Sequence, residues 1–398
     1  MKAVTGLVLA ACMLSLCTGR SAVDAASKAP TLPATATELA MQLAAAAGAT
    51  VTCSPVAVSA EPTALVCALA DGGADTQPDP LVSVFSVLFL TDDALVQALL
   101  DDVARQTVAH SVELLVGLVA GFYSEANVVQ LGREMGRRRL HSLKVVLWHE
   151  DLGLYGCWSY MCAHVATAEY RVRQSSAERV PRRAYVAFRC CAAAETLHNQ
   201  TNWNPDDRRA PYALQKQTAL LDKKPEVDLV AGPVRQLTAS PLNNTWATTH
   251  DAKVLRLVGG KHGPLPRALQ LSDFGRFAAG RFSVANPPHN APVFRKRLMD
   301  TIGYFDQTLD PLSDWELWVR GIINGSVYWF LEQPVVVWTK SEVQYSATHA
   351  GSRDAAVGQV LARNCAAWQH ALSPTVCTAG VVSRADAEPT PGPGGPPS

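Results

Sequence analysis

The sequence predicts an α/β fold in which a mostly parallel β-sheet is flanked by helices. Between residues 81 and 340, short apolar runs rich in β-branched side chains alternate with stretches whose apolar residues recur at helical spacing. Several of these runs are apolar at nearly every position, which is typical of parallel strands buried on both faces. Strands that alternate with helices in this way build a parallel sheet with helices on its faces.

The elements of this pattern follow one another in regular order. Strands are predicted at Leu81–Leu90, Val112–Val119, Leu143–Trp148 and Val227–Ala231. Helices are predicted after a cap at Thr91 and Asp92, at Ala126–Leu140, at Tyr155–Ala168 and from Pro211 through Leu221. Because ligands of such sheets bind beyond the carboxyl ends of the strands, the loops that follow the strands are the places to look for chemistry.

Composition narrows the class of protein. Of 398 residues, 48% are hydrophobic and 18% are charged, so disorder is excluded as the main state. The 35 basic and 35 acidic side chains give a net charge of zero, which removes any global electrostatic basis for nucleic acid as a partner. No internal apolar run reaches the length of a membrane-spanning helix.

The two ends of the chain differ from the middle. Residues 1–22 combine Lys2 with the short apolar run Leu7–Cys17 and small residues after it, which predicts a signal peptide and localisation in the secretory pathway or outside the cell. An ordinary buried helix is the alternative. Residues 23–80 are predicted to be a weakly ordered Ala- and Pro-rich lead-in, although Ala36–Ala47 could form a helix. Residues 341–388 are assigned to a C-terminal extension and 389–398 to a Pro/Gly-rich disordered tail.

An arginine-rich segment interrupts the alternation of strands and helices. It spans residues 171–199, and we expect it to loop outside the sheet as an insertion; a basic docking patch is the sharper alternative. Of the ten cysteines, Cys53 with Cys67 and Cys365 with Cys377 could form local disulfides, or remain buried thiols. Glycosylation sequons begin at Asn199, Asn243 and Asn324.

The first loop of interest follows the strand that ends at Trp148. Asp151 lies where the strand ends, and Gly153 and Gly156 allow a ligand to approach the backbone before a helix begins. A nucleotide could bind there. Strand–glycine–helix turns are common, so this loop taken alone is a weak signal.

The second loop contains adjacent carboxylates. Asp206 and Asp207 follow Asn204 and precede a helix that Pro211 opens. Such oxygen ligands suit Mg²⁺ or Mn²⁺, which usually shares its coordination shell with substrate phosphates. The alternative is that both acids only stabilise the positive end of the helix.

The third loop carries one further acid. Ser313 and Glu316 have the spacing of a capping box, so a helix is predicted to begin there with Asp314 in its first turn. A carboxylate held ionised by the helix dipole suits a base that takes a proton from a hydroxyl, and it equally suits a structural acid. Trp315 and Trp318 are expected to lie in the core.

Taken in order, these three loops resemble those of glycosyltransferase family 2. The resemblance covers about Leu81 to Trp338. The stretches that carry it are Asp151–Trp158, Asn202–Arg209, Ala213–Leu221, Pro225–Val230, Ala291–Leu298, Ile302–Asp306 and Ser313–Arg320.

The resemblance implies a GT-A fold, which is Rossmann-like, and an inverting, hexosyltransferase-like transfer of sugar from a nucleotide donor to an acceptor hydroxyl. It implies Asp314 as the catalytic base and Mn²⁺ or Mg²⁺ at Asp206 and Asp207 to neutralise the leaving diphosphate. It implies contacts to the nucleotide sugar from Asp151, Gly153, Tyr155, Trp158, Asn204 and Arg208.

The chain departs from the family pattern after the second strand. Family members usually carry an acid there for the nucleobase and ribose, whereas Leu115–Phe122 contains none before Glu125. The alternative hypothesis is therefore a catalytically degenerate member that acts as a secreted or lumenal binding module. The intact Asp206, Asp207 and Asp314 favour the enzyme, and the missing acid favours the binding module.

Overall fold

The computed structural model describes residues 36–56, 64–70, 80–89, 91–148, 151–166, 199–237, 253–255, 265–289, 291–339, 350–378 and 380–381. The predicted signal peptide, residues 171–198 of the predicted insertion and the Pro/Gly-rich tail lie outside these residues, as does the sequon at Asn243.

The helices of the described residues are short, and none is long and apolar enough to cross a bilayer. In chain order they are α1 (Ala36–Ala47), α2 (Asp93–Ala104), α3 (Glu125–Arg137), α4 (Gly153–Tyr160), α5 (Ala213–Lys223), α6 (Lys296–Ile302), α7 (Ser313–Ile323), α8 (Ala350–Arg363) and α9 (Cys365–Ala371). A π-helical turn, Met161–Val165, continues α4.

The described strands form three sheets. In chain order they are β1 (Val51–Val56), β2 (Ala64–Leu69), β3 (Val82–Leu88), β4 (Val112–Val119), β5 (Ser142–Trp148), β6 (Asn199–Asn202), β7 (Arg208–Arg209), β8 (Leu229–Ala231), β9 (Val234–Leu237), β10 (Lys253–Leu255), β11 (Arg267–Ala268), β12 (Gly275–Ala278), β13 (Arg281–Val284), β14 (Val293–Arg295), β15 (Tyr328–Phe330), β16 (Val336–Thr339) and β17 (Gly380–Val381). The main sheet has ten strands in the order β1-β2-β5-β4-β3-β6-β14-β8-β15-β11. Two smaller sheets have the orders β10-β9-β16-β7 and β12-β13-β17.

The predicted fold class is confirmed. Strands β5, β4, β3 and β6 are parallel neighbours, and helices cover both faces of the sheet. Alternate residues of one strand enter opposite cores: Phe85 packs in the core that includes α4 and α7, and Val84 packs in the core that includes α2 and α3. Burial on both faces is why these strands are apolar at nearly every position.

The sequence pattern did not predict one central strand, β6. Strand β6 lies between β3 and β14, although its residues were expected in the insertion and in a loop. All its residues are buried and polar, so no apolar run marks them. They are held by hydrogen bonds such as that from Gln200 Nε2 to Cys162 O (3.1 Å). The sequon residue Asn199 is buried here, which closes it to glycosylation in the folded protein.

The predicted lead-in is ordered where it is described. Helix α1 forms as expected, and β1 and β2 extend the main sheet because β2 pairs antiparallel with β5. Cys53 and Cys67 face each other across the two strands and are disulfide-bonded, so the first of the two alternatives holds for this pair. The boundary expected at residue 81 therefore falls inside the sheet.

The predicted C-terminal extension is part of the same core. From α8 and α9, the side chains of Val357, Val360 and Trp368 are fully or almost fully buried in the core that contains α7. The second predicted disulfide, Cys365–Cys377, is also present and closes this segment on itself. Residues 350–378 thus complete the domain, and the division expected at residue 340 has no counterpart in the packing.

Candidate functional site

The candidate site lies at the carboxyl edge of the parallel strands, as the sequence predicts. The loops after β3, β4, β5 and β6 leave the sheet at this edge because these strands are parallel. Strand β14 runs antiparallel to β6, so the loop that precedes it lies at the same edge. This loop contacts β6 where Thr201 Oγ1 donates a hydrogen bond to Pro292 O (2.5 Å).

Asp314 sits in the first turn of α7, half-buried and held by two donors. The Trp315 N–H donates to Asp314 Oδ1 (2.8 Å), and Asn286 Nδ2 donates to Oδ2 (2.9 Å). The Tyr155 hydroxyl lies 3.4 Å from Oδ1. These contacts from three segments restrict the rotamer of the carboxylate. The sequence predicts Asp314 in this turn, but nothing in it predicts Asn286, which stands in a Pro-rich loop before a strand.

The electrostatics of Asp314 differ from the helix-dipole expectation. Burial raises its pKa from the ordinary value to about 6, while the hydrogen bonds from Trp315, Asn286 and Tyr155 oppose the rise. The predicted capping box is wrong: Ser313 Oγ donates to Asp306 O (2.7 Å), and Glu316 pairs with Arg320 (2.9 Å). Asp314 is thus a carboxylate that can bind and release a proton near neutral pH.

Tyr155 joins the first predicted loop to the third. It is buried on α4, and its hydroxyl donates to Pro311 O (3.0 Å), just before the turn that carries Asp314. The tyrosine ring packs against Phe305 at 5.6 Å between centroids. The structure therefore brings together two motifs that the sequence separates by about 150 residues.

Three other residues of the predicted nucleotide-sugar site differ in exposure: Asp151 and Gly153 are exposed, and Trp158 is buried. Asp151 is exposed, and its Oδ1 accepts from the Gly153 N–H (2.8 Å), which shapes the start of α4. Gly153 has φ +67° and open space where a side chain would stand, so a ligand could approach this backbone. Trp158 is buried among aromatic side chains, 6.1 Å from Phe85 between ring centroids, and belongs to the core.

The acidic loop after β6 turns inward. Asn204 and Asp206 are half-buried, whereas Asp207 is buried, and its N–H donates to Asn204 O (3.1 Å) to close a tight turn. Burial raises the pKa of Asp206, and the charge of Arg208 opposes the rise. Asp314 has no hydrogen bond or ion pair to this loop within the described part of the chain.

Two buried arginines compensate these acids. Arg208 donates to Pro205 O (2.7 Å) and Asp207 O (2.9 Å), and its Nε lies 3.7 Å from the carboxylate of Asp102 on α2. Arg209 donates to Thr201 Oγ1 (2.7 Å) and lies over the Trp203 ring at 4.7 Å.

The pKa values of both guanidiniums depend on burial and on the charges of the acids around them. Burial lowers the pKa of Arg209 to about 9, and the charge of Asp207 opposes that lowering. Burial also lowers the pKa of Arg208, against the charges of Asp102 and Asp207. Arg208 therefore fastens the loop to α2, and its predicted contact with a nucleotide sugar remains a prediction.

A divalent cation fits this pair of acids poorly. Mn²⁺ or Mg²⁺ requires several oxygens that converge on one point, and it is repelled by nearby guanidiniums. Here Asp207 is buried beside two arginines. Among the described residues, no group of three or more His, Cys, Asp or Glu side chains could hold a metal ion.

An aromatic pair lies just beyond the ends of β3 and β4. Phe89, at the end of β3, stacks on Phe122 with ring centroids 4.3 Å apart and planes 19° from parallel. Phe89 is 47% exposed, which is unusual for so large an apolar side chain. The sequence signal was slight, since Phe89 continues the apolar run of its strand.

No protein-family model matches the sequence, and neither does any curated protein. Solved structures with a similar fold include TarS residues 1–349 from S. aureus in complex with UDP-GlcNAc, at 14% identity over 72% of this chain and 67% of that one, with a TM-score of 0.46. Another is the mannosyltransferase PcManGT from Pyrobaculum calidifontis in complex with GDP-Man and Mn²⁺, at 16% identity over 73% of this chain and 67% of that one, with a TM-score of 0.42. Both identities and both TM-scores are low, so the likeness to these structures is a distant one.

Proposed function

We propose that this chain is a glycosyltransferase that moves a sugar from a nucleoside-diphosphate sugar to an acceptor hydroxyl with inversion. The observation that carries the proposal is Asp314, a carboxylate with a pKa near 6 that accepts hydrogen bonds from Trp315 and Asn286 and lies 3.4 Å from the Tyr155 hydroxyl. The ordered resemblance of the loops to family 2 supports the same reaction.

In the proposed reaction, Asp314 acts as general base. Its carboxylate takes the proton of the acceptor hydroxyl while that oxygen bonds to the anomeric carbon, and the bond from this carbon to the diphosphate oxygen breaks on the opposite face. A base with a pKa of about 6 is mostly ionised at pH 7 and can still accept the proton. The contacts from Asn286 and Tyr155 hold it in place before substrate arrives.

We assign the nucleotide to the neighbouring loops of the same edge. Asp151, Gly153 and Tyr155 border open backbone beside Asp314, while Phe89 and Phe122 offer a face on which a planar base can stack. Trp158 and Arg208 contribute through the packing beneath this surface. The resemblance adds Mn²⁺ or Mg²⁺ at Asp206 and Asp207, but no step of the transfer is assigned to a cation because the pair fits one poorly.

We also propose that the protein works in the secretory pathway or outside the cell. The disulfides Cys53–Cys67 and Cys365–Cys377 support an oxidising compartment. The sequon at Asn324 is exposed, so it is open to glycosylation.

The competing function is a binding module without catalysis, which the missing acid in Leu115–Phe122 favours. The deciding experiment measures release of nucleoside diphosphate and thermal stabilisation by a panel of nucleotide sugars, each with and without Mn²⁺. Stabilisation without any turnover on a broad acceptor panel would favour the binding module.

Asp314→Asn is the matching variant. We expect turnover to fall roughly 10²–10⁴-fold while thermal stabilisation by the donor is retained, because only the base is lost. Asp300→Asn is the control, since Asp300 is an acid on α6 that pairs with Lys296 (2.6 Å) at the surface. Full activity in Asp314→Asn would refute the assignment of the base.

A further inference from the structure

A β-hairpin is anchored to the helix that carries the proposed base. Its strands β12 and β13 are joined by a tight turn, in which Ala279 (φ +50°) and Gly280 (φ +73°) both have positive φ. Just before β12, Phe274 O accepts a hydrogen bond from the indole Nε1 of Trp315 (2.9 Å), the residue after Asp314. The hairpin is therefore fixed to the start of α7.

The second strand of the hairpin leads directly to the site. Strand β13 ends at Val284, and Asn286, which donates to Asp314 Oδ2 (2.9 Å), follows it by two residues. Arg281 precedes Asn286 by five residues, a stretch of chain that spans at most about 18 Å. A ligand on this strand therefore lies within the length of a short oligosaccharide from the proposed base.

The outer face of the hairpin carries two arginines. Phe277 is paired with Phe282, which is fully buried, so this face of the hairpin packs on the core. Because side chains alternate along a strand, Arg276 and Arg281 lie on the opposite face, and both are exposed. Arg276 is paired with Ser283, so Arg281 is its diagonal neighbour, at roughly 7–8 Å between Cα atoms. The two charges therefore share one surface.

The two arginines have no acidic neighbour along this part of the sequence. Residues 274–299 contain no Asp or Glu. Within the described residues no ion pair involves Arg276 or Arg281, whereas Arg267 and Arg297 each bind a carboxylate. Like charges on neighbouring strands repel each other, and an anion bound between them reduces that cost. Guanidiniums at this spacing are suited to carboxylate or sulfate groups that repeat along a chain.

The hairpin is poorly suited to a membrane surface. The exposed residues of its turn are Ala278, Ala279 and Gly280, and none has a large apolar side chain that could enter the lipid. A soluble anion that also offers a hydroxyl to Asp314 suits the surface better. Acidic sugars carry hydroxyl and anionic groups on the same chain.

We propose that the outer face of this hairpin binds an acidic oligosaccharide, which is the acceptor of the transfer. The carboxylate or sulfate groups of the oligosaccharide lie on Arg276 and Arg281 while one of its hydroxyls reaches Asp314. This inference rests on the proposed function for the role of the ligand as acceptor. It makes the two arginines substrate-binding residues that determine the class of acceptor.

The test compares the hairpin variant Arg276→Gln/Arg281→Gln with the control variant Arg133→Gln/Arg138→Gln. The control arginines are also exposed, and they lie toward the end of α3, near the start of β5 at the opposite edge of the sheet. The probes are oligogalacturonate and a heparin hexasaccharide, with neutral maltohexaose for comparison, and calorimetry measures their affinities. We expect the hairpin variant to bind both acidic probes roughly 5- to 30-fold more weakly, because two exposed ion pairs are lost. The control variant should bind them as the wild type does, and maltohexaose should not distinguish the three proteins.

Two results of the binding experiment overturn the inference. One is equal affinity of the hairpin variant and the wild type for the acidic probes, or no binding of either probe to the wild type. The other is tighter binding of polyphosphate, or of vesicles that contain phosphatidylserine, that is lost in the hairpin variant, because the partner is then a phosphate polymer or a membrane. Equal melting temperatures of the two variants show that a loss of affinity is local.

Sugar transfer separates this inference from the proposed function. Transfer to neutral acceptors alone, at equal rates in the wild type and the hairpin variant, supports the transferase and overturns the acidic acceptor. Acidic probes that bind through the hairpin and receive no sugar from any donor support the binding surface and refute the transferase.

Discussion

At the scale of single residues, Asp314 shows how burial decides the chemistry of a carboxylate. Its position at the start of α7 favours the ionised form through the helix dipole, but the loss of solvent is the larger effect and raises the pKa to about 6. The sequence predicts that Asp314 is always ionised near neutral pH, whereas its raised pKa allows it to exchange a proton there.

This pKa predicts the pH dependence of the reaction. We expect kcat to rise with pH through an acid limb near pH 6, because only the ionised carboxylate accepts the hydroxyl proton. The contribution of Asp314 to the free energy of unfolding should instead fall as the pH rises. The folded-state pKa lies above the unfolded value, so folding binds a proton, and the contribution of this group to stability is lost as pH rises from about 4 to 6.

Asp314→Asn should remove that part of the pH dependence of unfolding, measured by urea denaturation between pH 4 and 7. An acid limb of kcat near pH 4 in the wild type would contradict a base whose pKa is raised to about 6.

The acids of the β6 loop have a structural role that can be measured. Asp207→Asn leaves Arg208 and Arg209 buried with less compensating charge, and we expect it to lower the free energy of unfolding by about 3–5 kcal/mol. Asp206→Asn should cost less because Asp206 is only half-buried. Denaturant unfolding in the presence of EDTA or Mn²⁺ checks this. If Mn²⁺ stabilises the wild type and both variants lose this stabilisation, the two acids bind a metal after all.

Phe89 gives a prediction about the nucleotide. Because the Phe89 ring is 47% exposed and stacks on the neighbouring ring of Phe122, Phe89→Ala should change the free energy of unfolding little. If the base of the donor stacks there, binding of UDP should weaken by about 1–3 kcal/mol. Calorimetry on Phe89→Ala and on Met41→Ala, another exposed apolar residue, makes the comparison. Equal affinity in both variants would place the base elsewhere.

At the scale of elements, the sequence predicts a strand or helix correctly where a local pattern, such as an apolar run or a helix cap, determines it. Strand β4 forms at the predicted residues because all its side chains except that of Glu113 are apolar. Helix α2 begins after the predicted cap, where Asp92 Oδ1 accepts from the Ala94 N–H (2.8 Å). Strand β6 was missed because its stability comes from side-chain hydrogen bonds to distant segments, which leave no local periodicity.

The candidate site divides in the same way. Asp314 and Tyr155 were found because they stand in motifs, and the helix start positions them. Asn286 was not, because it reaches Asp314 from a loop that is distant in the sequence. A single sequence does not predict contacts between residues that lie far apart in the chain.

At the scale of the whole molecule, the C-terminal segment should be required for folding. Truncation before Ala350 removes Trp368, Val357 and Val360 and exposes Trp315 and Phe282. Loss of one buried tryptophan alone costs about 3–5 kcal/mol, against total stabilities of about 5–15 kcal/mol. We expect the truncated protein to lack a cooperative calorimetric transition. Removal of residues 389–398 is the control and should leave the melting temperature unchanged.

The position of β6 in the middle of the main sheet also governs the order in which the chain can assemble during synthesis. Strand β3 pairs with β4 on one side and with β6 on the other, yet β6 ends about 120 residues after β3 begins. At a translation rate of about 5–20 residues per second, that edge of β3 stays without its partner for roughly 6 to 24 seconds after the strand has been made. An apolar strand with an open edge is a template for pairing with other chains. We therefore expect the nascent chain to be most prone to aggregation in the interval between the synthesis of β3 and that of β6.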